Sequence, residues 1–449
     1  MSELAASTDG IAQADSSRAI GSPSRRVLVK VVGGASVGSF VEYYDLGAYG
    51  FLAATISLVF FPPGNDTAAL LSTFAIFAVS FFARPIGGLI WGRLGDRIGR
   101  KRTLATVIII MSIATMLIGF LPGYASIGAL APTLLVVLRF VQGISAGGEI
   151  TGAAAFVSEY SPEGRRGLLT SWIQASTTCA MLAGIVTASI LNATLSTEAM
   201  QNWGWRIPFL LAAPLGIVGL YIRNNLEETP KFQELQESRE ATQQSISGTG
   251  SDSGAQRRAI ALAVAIGAIQ TVAFYVLLSY LPTYLVKQIG LSQGEAYLVL
   301  GIAATVLMLL IPPMGALSDK IGRRWSLIAA TLGFLTLSYP SFLLITYDGF
   351  RTALIGQLVL VVPGSLAAAS LLATQGELFP TRVRYTGHAI AMGIVAAVFG
   401  GSAPFVAQAL TSATGSLFVP AYMIMFAAAI SFVASLVMKE TAKNPLRLE

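Results

Sequence analysis

The sequence predicts an all-α membrane protein with twelve transmembrane helices in two six-helix bundles. Long apolar runs, the placement of basic residues and an internal repeat support this prediction. Of the 449 residues, 54% are hydrophobic and 12% are charged, against roughly 25% charged in soluble proteins. A chain this apolar is unlike one or two soluble domains, and its apolar runs reach the ~20 residues that a bilayer-spanning helix needs.

Twelve apolar spans follow one another along the chain. They cover residues 28–60, 68–91, 103–121, 132–157, 168–192, 205–223, 258–286, 293–316, 326–346, 352–378, 387–410 and 417–438. With both termini in the cytoplasm, the predicted external loops hold only two basic residues, Lys287 and Arg351. Lys and Arg accumulate in cytoplasmic loops, so this distribution supports an even number of spans.

The spans divide the chain into five segments. These are a disordered cytoplasmic tail at 1–27, a first bundle at 28–223, a cytoplasmic linker at 224–257, a second bundle at 258–438 and a cytoplasmic tail at 439–449. The first segment lacks the apolar core of a signal peptide. The net charge of +6 lies in short loops between the spans, which indicates membrane topology rather than nucleic-acid binding.

A ten-residue loop occurs once in each half. Gly92–Lys101 recurs as Gly315–Arg324, both with the pattern Gly-x-x-x-Asp-(Arg/Lys)-x-Gly-Arg-(Arg/Lys) and both between the second and third spans of their half. An acid here can bind a basic partner or cap a helix N-terminus. A topogenic basic loop would explain one copy, whereas two copies in register favour a gate that holds the cytoplasmic side closed. The candidate gating residues are Asp96, Arg97, Arg100, Asp319 and Arg323.

Five ionisable residues lie inside spans of the first half. They are Glu42, Asp45, Arg84, Arg139 and Glu149. Charges inside a membrane are expensive and therefore mark functional candidates. We expect Asp45, Glu42 and Glu149 to couple transport to protons, because three acids against two arginines leave one surplus negative charge. The alternative is that these groups only pair to fix helix packing.

Several motifs resemble the metabolite:proton symporters of the major facilitator superfamily, over nearly the whole chain. The repeated loop is that superfamily's best-known motif. The matching segments are Gly38–Asp45 in the first span, Arg84–Gly88 in the second, Arg139–Glu149 in the fourth, and the segments Trp203–Phe209 and Leu226–Pro230. The resemblance implies the fold of that superfamily, a multi-pass inner-membrane location and proton-driven symport of a small metabolite by alternating access.

By analogy with that fold, the first, fourth, seventh and tenth helices line the substrate cavity. Tyr275 and Ser279 lie one turn apart on the seventh span and are expected to face it, and Gln270 lies on the same span. Together with Arg84 and Arg139 they are the candidate substrate-binding residues. Tyrosine in a span is also common in cores and at interfaces. The only histidine, His388, is assigned to structure rather than to proton transfer.

Two membrane arginines favour a carboxylate substrate, because Arg binds carboxylates bidentately. Segments 315–320 and 399–403 look most like the 2-oxoglutarate carriers, whereas 275–280 and 419–422 look more like the proline/glycine betaine carriers. Arg139 favours the dicarboxylate, so import of an acid such as 2-oxoglutarate is the leading prediction. Proline/glycine betaine symport, proton-driven export and a sensor without transport remain alternatives.

No pattern predicts a nucleotide loop, a metal cluster or a nucleophile–base pair, so neither enzymatic activity nor a cofactor is expected. The partners predicted are the carboxylate substrate, protons and the lipid bilayer. We expect no nucleic acid and a monomeric protein.

Overall fold

The computed structural model describes residues 24–224, 253–347, 349–380 and 384–442. Its elements of membrane length are, in chain order, α1 (Arg25–Phe51), α2 (Asp66–Ile98), α3 (Arg100–Phe120), α4 (Leu130–Ala146 and Glu149–Tyr160), α5 (Arg166–Thr194), α6 (Arg206–Asn224), α7 (Ser253–Phe274, Tyr275–Tyr280 and Leu281–Lys287), α8 (Gln293–Ile321), α9 (Arg323–Tyr347), α10 (Gly349–Glu377), α11 (Arg384–Val395, Ala396–Gly400 and Ser402–Thr414) and α12 (Val419–Val437). Short helices follow or precede them at Ala53–Phe60, Tyr124–Ile127, Thr197–Ala199 and Met200–Gly204.

Ten of the described helices are long and apolar enough to cross a membrane, and the bent pair Thr197–Gly204 and Arg206–Ile222 is an eleventh. The element outside that set is α1, which carries two carboxylates. Its 27 residues extend about 40 Å at ~1.5 Å per residue, which is more than the hydrocarbon core. Each predicted span therefore has a helix at its position.

Two helices begin earlier than hydropathy predicts. Ser24 caps α1, accepting a hydrogen bond from the Val27 N–H at 3.4 Å, so this helix begins inside the tail predicted at 1–27. Similarly, α7 begins at Ser253, inside the linker predicted at 224–257. Arg and Gln are good helix formers, so the first turns are helical although they are polar. The rest of the linker and residues 443–449 lie outside the described residues.

The two halves meet along two seams. In one seam α5 packs against α8, and in the other α2 packs against α11. Within the first half, α2 and α4 approach almost backbone to backbone, because a Cβ at Gly87 would overlap the carbonyl oxygen of Ile144 and one at Gly143 would overlap that of Ser80. This contact fixes the positions of the arginines on α2 and α4 relative to each other.

Two helices contain a π-helical stretch at Tyr275–Tyr280 and Ala396–Gly400. Such stretches often occur at functional sites, because the extra residue per turn frees backbone groups and redirects side chains. In α7 the freed carbonyl of Leu277 accepts a hydrogen bond from the Gln357 amide at 3.1 Å. The π-helical stretch of α7 faces the first half, where the buried charges lie.

Candidate functional site

Two buried ion pairs form the centre of the first half. The Arg84 Nη2 atom lies 2.8 Å from Glu42 Oε1, and the Arg139 Nη1 atom lies 2.7 Å from Asp45 Oδ2. All four side chains are almost wholly inaccessible to solvent. Glu42 and Asp45 share one face of α1, as their three-residue spacing predicts, but each carboxylate holds a different arginine.

Aromatic rings cover both guanidinium groups. The Arg84 Cζ atom lies 4.4 Å from the Phe81 ring centroid, and the Arg139 Cζ atom lies 3.9 Å from that of Tyr49. Stacking of this kind stabilises a desolvated cation. Nε of each arginine has no hydrogen-bond partner among the described residues, so each group retains donor capacity. Glu149 is also buried, at the first turn of the second segment of α4.

An aromatic cluster joins this charged centre to the second half. We define it as Tyr43, Phe77, Phe81, Phe274 and Tyr275. The Tyr275 ring contacts Phe81 edge-on at 5.0 Å between centroids, and Phe274 contacts Tyr43 edge-on at 5.6 Å. The cluster therefore connects α1 and α2 with the point where α7 becomes π-helical.

The polar residues predicted in α7 occupy two environments. The Tyr275 hydroxyl and Ser279 Oγ are buried without a hydrogen-bond partner among the described residues, and Ser279 packs against Gly50 of α1. Gln270 instead lines a cavity of about 30 Å³ within the second half, together with Gln357. Tyr275 and Ser279 thus lie at the contact between the halves, and Gln270 lies apart from it.

The repeated loop of the second half contacts the first half at the predicted cytoplasmic end. The Asp319 carboxylate accepts hydrogen bonds from the backbone N–H groups of Gly167 and Leu168, both at 2.8 Å. It thereby caps the N-terminus of α5 in the other half. Arg323 binds Asp319 at 2.7 Å and Glu377 at 3.3 Å. The role of Asp319 in gating stays a prediction.

The first copy of the loop makes a different contact. Gly95 lies so close to Tyr385 that a Cβ would overlap its ring, and the Tyr385 hydroxyl donates a 2.8 Å hydrogen bond to the Gly148 carbonyl. The side chains of Asp96 and Arg100 lie outside the described residues. Arg97 is exposed and forms no ion pair with the described part of the chain, so its role in gating stays a prediction.

A carboxylate beyond the last helix also belongs to this end, and the sequence analysis did not identify it. Glu440 accepts hydrogen bonds from the backbone N–H groups of Arg323 and Arg324 at 2.8 and 3.2 Å, which caps α9. Burial opposes ionisation, but the backbone donors outweigh it and lower the pKa of Glu440. The pair Glu440-Thr441 repeats Glu228-Thr229 after the sixth helix, which is the signal that could have revealed it.

The halves also touch at the opposite end of the molecule. The Tyr297 hydroxyl of α8 donates a 3.2 Å hydrogen bond to the Phe51 carbonyl at the end of α1. On the other seam, Gly401 packs against the Phe81 ring. The halves therefore also contact each other away from the predicted cytoplasmic end. The buried His388 contacts Gln375 at 3.2 Å, and the Gln375 amide donates a 2.8 Å hydrogen bond to the Ala263 carbonyl.

Comparison with known proteins identifies the family. The model of the family described as "Sugar (and other) transporter" matches residues 31–258 and 233–448. A glycine betaine/proline/ectoine/pipecolic acid transporter of Dickeya dadantii strain 3937 is 38% identical over 429 residues, covering 94% of this chain and 85% of the relative. The alpha-ketoglutarate permease of Escherichia coli K12 is 34% identical over 433 residues, covering 95% of this chain and 97% of the relative.

Solved structures agree on the fold. The proton:xylose symporter XylE bound to 6-bromo-6-deoxy-D-glucose superposes with a TM-score of 0.78 at 18% identity, covering 94% of this chain and 98% of that one. At this identity the likeness concerns architecture only. The family match, the relatives and the helical architecture agree that this chain is a multi-pass membrane transporter and not an enzyme. It belongs to the sugar (and other) transporter family.

Proposed function

We propose that this transporter is a proton-coupled symporter that imports a small zwitterion with one carboxylate, such as proline or glycine betaine. The observation that carries the proposal is the position of Arg84, which binds Glu42 on one side and stacks on the aromatic cluster on the other. A cation beside several aromatic faces suits a ligand with a carboxylate at one end and an ammonium group at the other.

Arg84 is the proposed partner of the substrate carboxylate. Its Nη2 atom holds Glu42, while Nε is without a hydrogen-bond partner among the described residues. A substrate carboxylate that takes the planar guanidinium bidentately would displace Glu42. Arg139 is a poorer candidate, because its side chain has no solvent exposure and two rings, those of Tyr49 and Phe209, lie within 6.0 Å of its Cζ atom. This weakens the argument from Arg139 for a dicarboxylate.

The aromatic cluster is the proposed partner of the ammonium end. A cation that lies over an aromatic face gains roughly 0.5–2 kcal/mol of interaction free energy, and quaternary ammonium ligands are recognised in this way. Tyr275 lies at the centre of the cluster, in contact with Phe77, Phe81 and Phe274. Ser279 Oγ, which has no hydrogen-bond partner among the described residues, adds a hydrogen-bonding group for the substrate.

Displacement of Glu42 supplies the proton coupling. The Glu42 side chain has no solvent exposure, and an unpaired buried carboxylate is expensive. Once the substrate holds Arg84, a proton on Glu42 removes that cost, so substrate and proton load together. In this proposal Asp45 stays paired with Arg139 while substrate and proton bind. The geometry thus favours Glu42 over Asp45 and Glu149 as the group that takes up the proton.

Import of a dicarboxylate such as 2-oxoglutarate is the second candidate. The permease match covers 97% of that relative, and Arg139 retains Nε and Nη2 without hydrogen-bond partners among the described residues. A dicarboxylate would need both arginines, and each is already neutralised by a carboxylate. The proline/betaine transporters of Dickeya dadantii and Escherichia coli K12 are 38% and 36% identical to this chain, against 34% for the permease, whereas the putative proline/betaine transporters of two staphylococci are 33% and 34% identical.

Uptake of labelled solutes into energised right-side-out vesicles separates the candidates. We expect glycine betaine or proline to accumulate, a protonophore to abolish the accumulation, and 2-oxoglutarate not to accumulate. Tyr275→Phe should retain affinity for the zwitterion, whereas Tyr275→Ala should lose it. Accumulation of 2-oxoglutarate alone would overturn the zwitterion proposal, and accumulation only in inverted vesicles would indicate export.

A further inference from the structure

A large apolar groove runs along the surface where the two halves meet, apart from the proposed substrate site. It lies between α1, α5 and α8, and its volume is about 1330 Å³. Among its lining residues are Leu28, Val32, Leu169, Trp172, Met308 and Pro312. Small-molecule sites usually measure about 300–1,000 Å³, so this groove suits a longer ligand. Trp172 is 49% exposed and the adjoining Leu309 is 64% exposed, so the groove opens toward the surrounding bilayer.

Two arginines stand at one end of this groove. Arg25 and Arg165 line it at the predicted cytoplasmic surface, and both are exposed. Within the part of the chain that the structure describes, neither forms an ion pair. Helix α1 also begins here, at Arg25, and helix N-termini carry partial positive charge. The mouth of the groove is thus electropositive, whereas its walls are apolar.

The dimensions of the groove match one leaflet of a membrane. From Arg25 to Phe40, which lies at its deep end, α1 rises about 22 Å at ~1.5 Å per residue. One leaflet contributes about 15 Å of hydrocarbon plus a polar headgroup layer. The arginines therefore lie at headgroup depth, and the apolar walls extend along the depth of an acyl chain.

We propose that this groove binds an anionic glycerophospholipid of the cytoplasmic leaflet. Its phosphate binds Arg25 and Arg165, and an acyl chain lies along α1 and α5 against α8. Charge complementarity selects this occupant, because the cytoplasmic leaflet is the anionic one and each Lys or Arg near its surface adds about 1 kcal/mol of attraction, or about fivefold in affinity. The bound lipid contacts both halves, because α1 and α5 of the first half and α8 of the second line the groove.

The only cysteine of the chain provides a probe. Cys179 lines the groove about 21 Å along α5 from Arg165, at ~1.5 Å per residue. A bimane on Cys179 is therefore placed near the ends of the acyl chains. Quenching by lipids brominated near the chain end reports which lipid occupies the groove. The protein is reconstituted with brominated phosphatidylglycerol or brominated phosphatidylcholine at equal mole fraction.

We expect brominated phosphatidylglycerol to quench more strongly in the wild type. The preference should fall about fivefold for each of Arg25→Gln and Arg165→Gln, and the double lysine variant should retain it. A matched control, Arg257→Gln with Arg258→Gln, removes two exposed arginines at the beginning of α7 and should leave the preference unchanged. Native mass spectrometry of the unlabelled proteins gives the same comparison through the lipid that each retains.

Equal quenching by the two lipids in the wild type would overturn the proposal. Such equality is the outcome expected if residues 1–23 or a second copy of the chain fill the groove, because bulk lipid of either kind would then be excluded alike. An unchanged preference in the double glutamine variant would also overturn it. The readout is lipid binding rather than transport, so it stands independently of the substrate proposed above.

Discussion

Replacing Arg84 tests whether it binds the substrate carboxylate. A hydrogen bond to a charged group contributes about 1.5–3 kcal/mol, which corresponds to about 10- to 150-fold in affinity. Arg84→Ala should lose at least this factor, and Arg84→Lys should lose less because it keeps the charge without the planar fork. The measurement is the dissociation constant of purified protein for the solute that accumulates best, together with protein abundance in the membrane.

Protein abundance reports a separate effect of the same substitution. Arg84→Ala leaves Glu42 buried without its ion-pair partner, and breaking a buried pair in this way costs about 3–5 kcal/mol. Adding Glu42→Gln removes the unpaired charge and should restore abundance without restoring affinity. Affinity that is unchanged in Arg84→Ala, or that recovers in the double variant, would refute the substrate contact.

A second arginine provides the matched control. Arg206 donates hydrogen bonds to the carbonyls of Gly119 and Leu121 at 2.8 and 2.7 Å and joins α6 to the end of α3. Arg206→Ala should lower abundance while the surviving protein keeps its affinity. The two arginines together therefore distinguish loss of a ligand contact from loss of stability.

Three further predictions concern the predicted cytoplasmic end. Asp319→Asn removes the charge that caps α5, worth about 1–2 kcal/mol, so turnover should fall severalfold while substrate affinity stays near normal; unchanged turnover would count against the gate. Gly95→Ala should slow transport by overlapping the Tyr385 ring, and adding Tyr385→Ala should partly restore the rate if that overlap is the cause. The pKa of Glu440 is lowered in the folded protein, so its stabilisation is present above the unfolded pKa of about 4.3 and disappears as pH falls through the folded value. Glu440→Gln should therefore flatten the pH dependence of the unfolding temperature at acidic pH, and an unchanged profile would contradict this.

The positions of the helices could be predicted because the length of an apolar run is set by the bilayer. Polar first turns hide helix beginnings from hydropathy, as at Arg25 and Ser253. The sequence also identified the charged residues inside the spans as candidates for function. It did not reveal that Glu42 binds Arg84 while Asp45 binds Arg139, because depth along a span says nothing about which neighbouring helix faces a given side chain.

The aromatic cluster was harder to predict. Tyr275 was a candidate, but Phe77 and Phe81 resemble any other apolar residues of α2. Only the packing of α7 against that helix shows that these rings meet, at 6.3 and 5.0 Å from Tyr275. Contacts between residues almost two hundred positions apart leave no periodic signal in one sequence.

The two ion pairs bear on how membrane voltage acts on this transporter. Each buried arginine is neutralised by a carboxylate, so these four groups carry no net charge when the empty transporter reorients. In the proposed cycle a zwitterion adds no charge and the proton adds one, so the loaded form moves a single positive charge inward. A membrane potential of 100 mV contributes about 2.3 kcal/mol to that step. A dianion entering with two protons would gain nothing from the potential, so the dependence of accumulation on voltage reports the charge of the substrate.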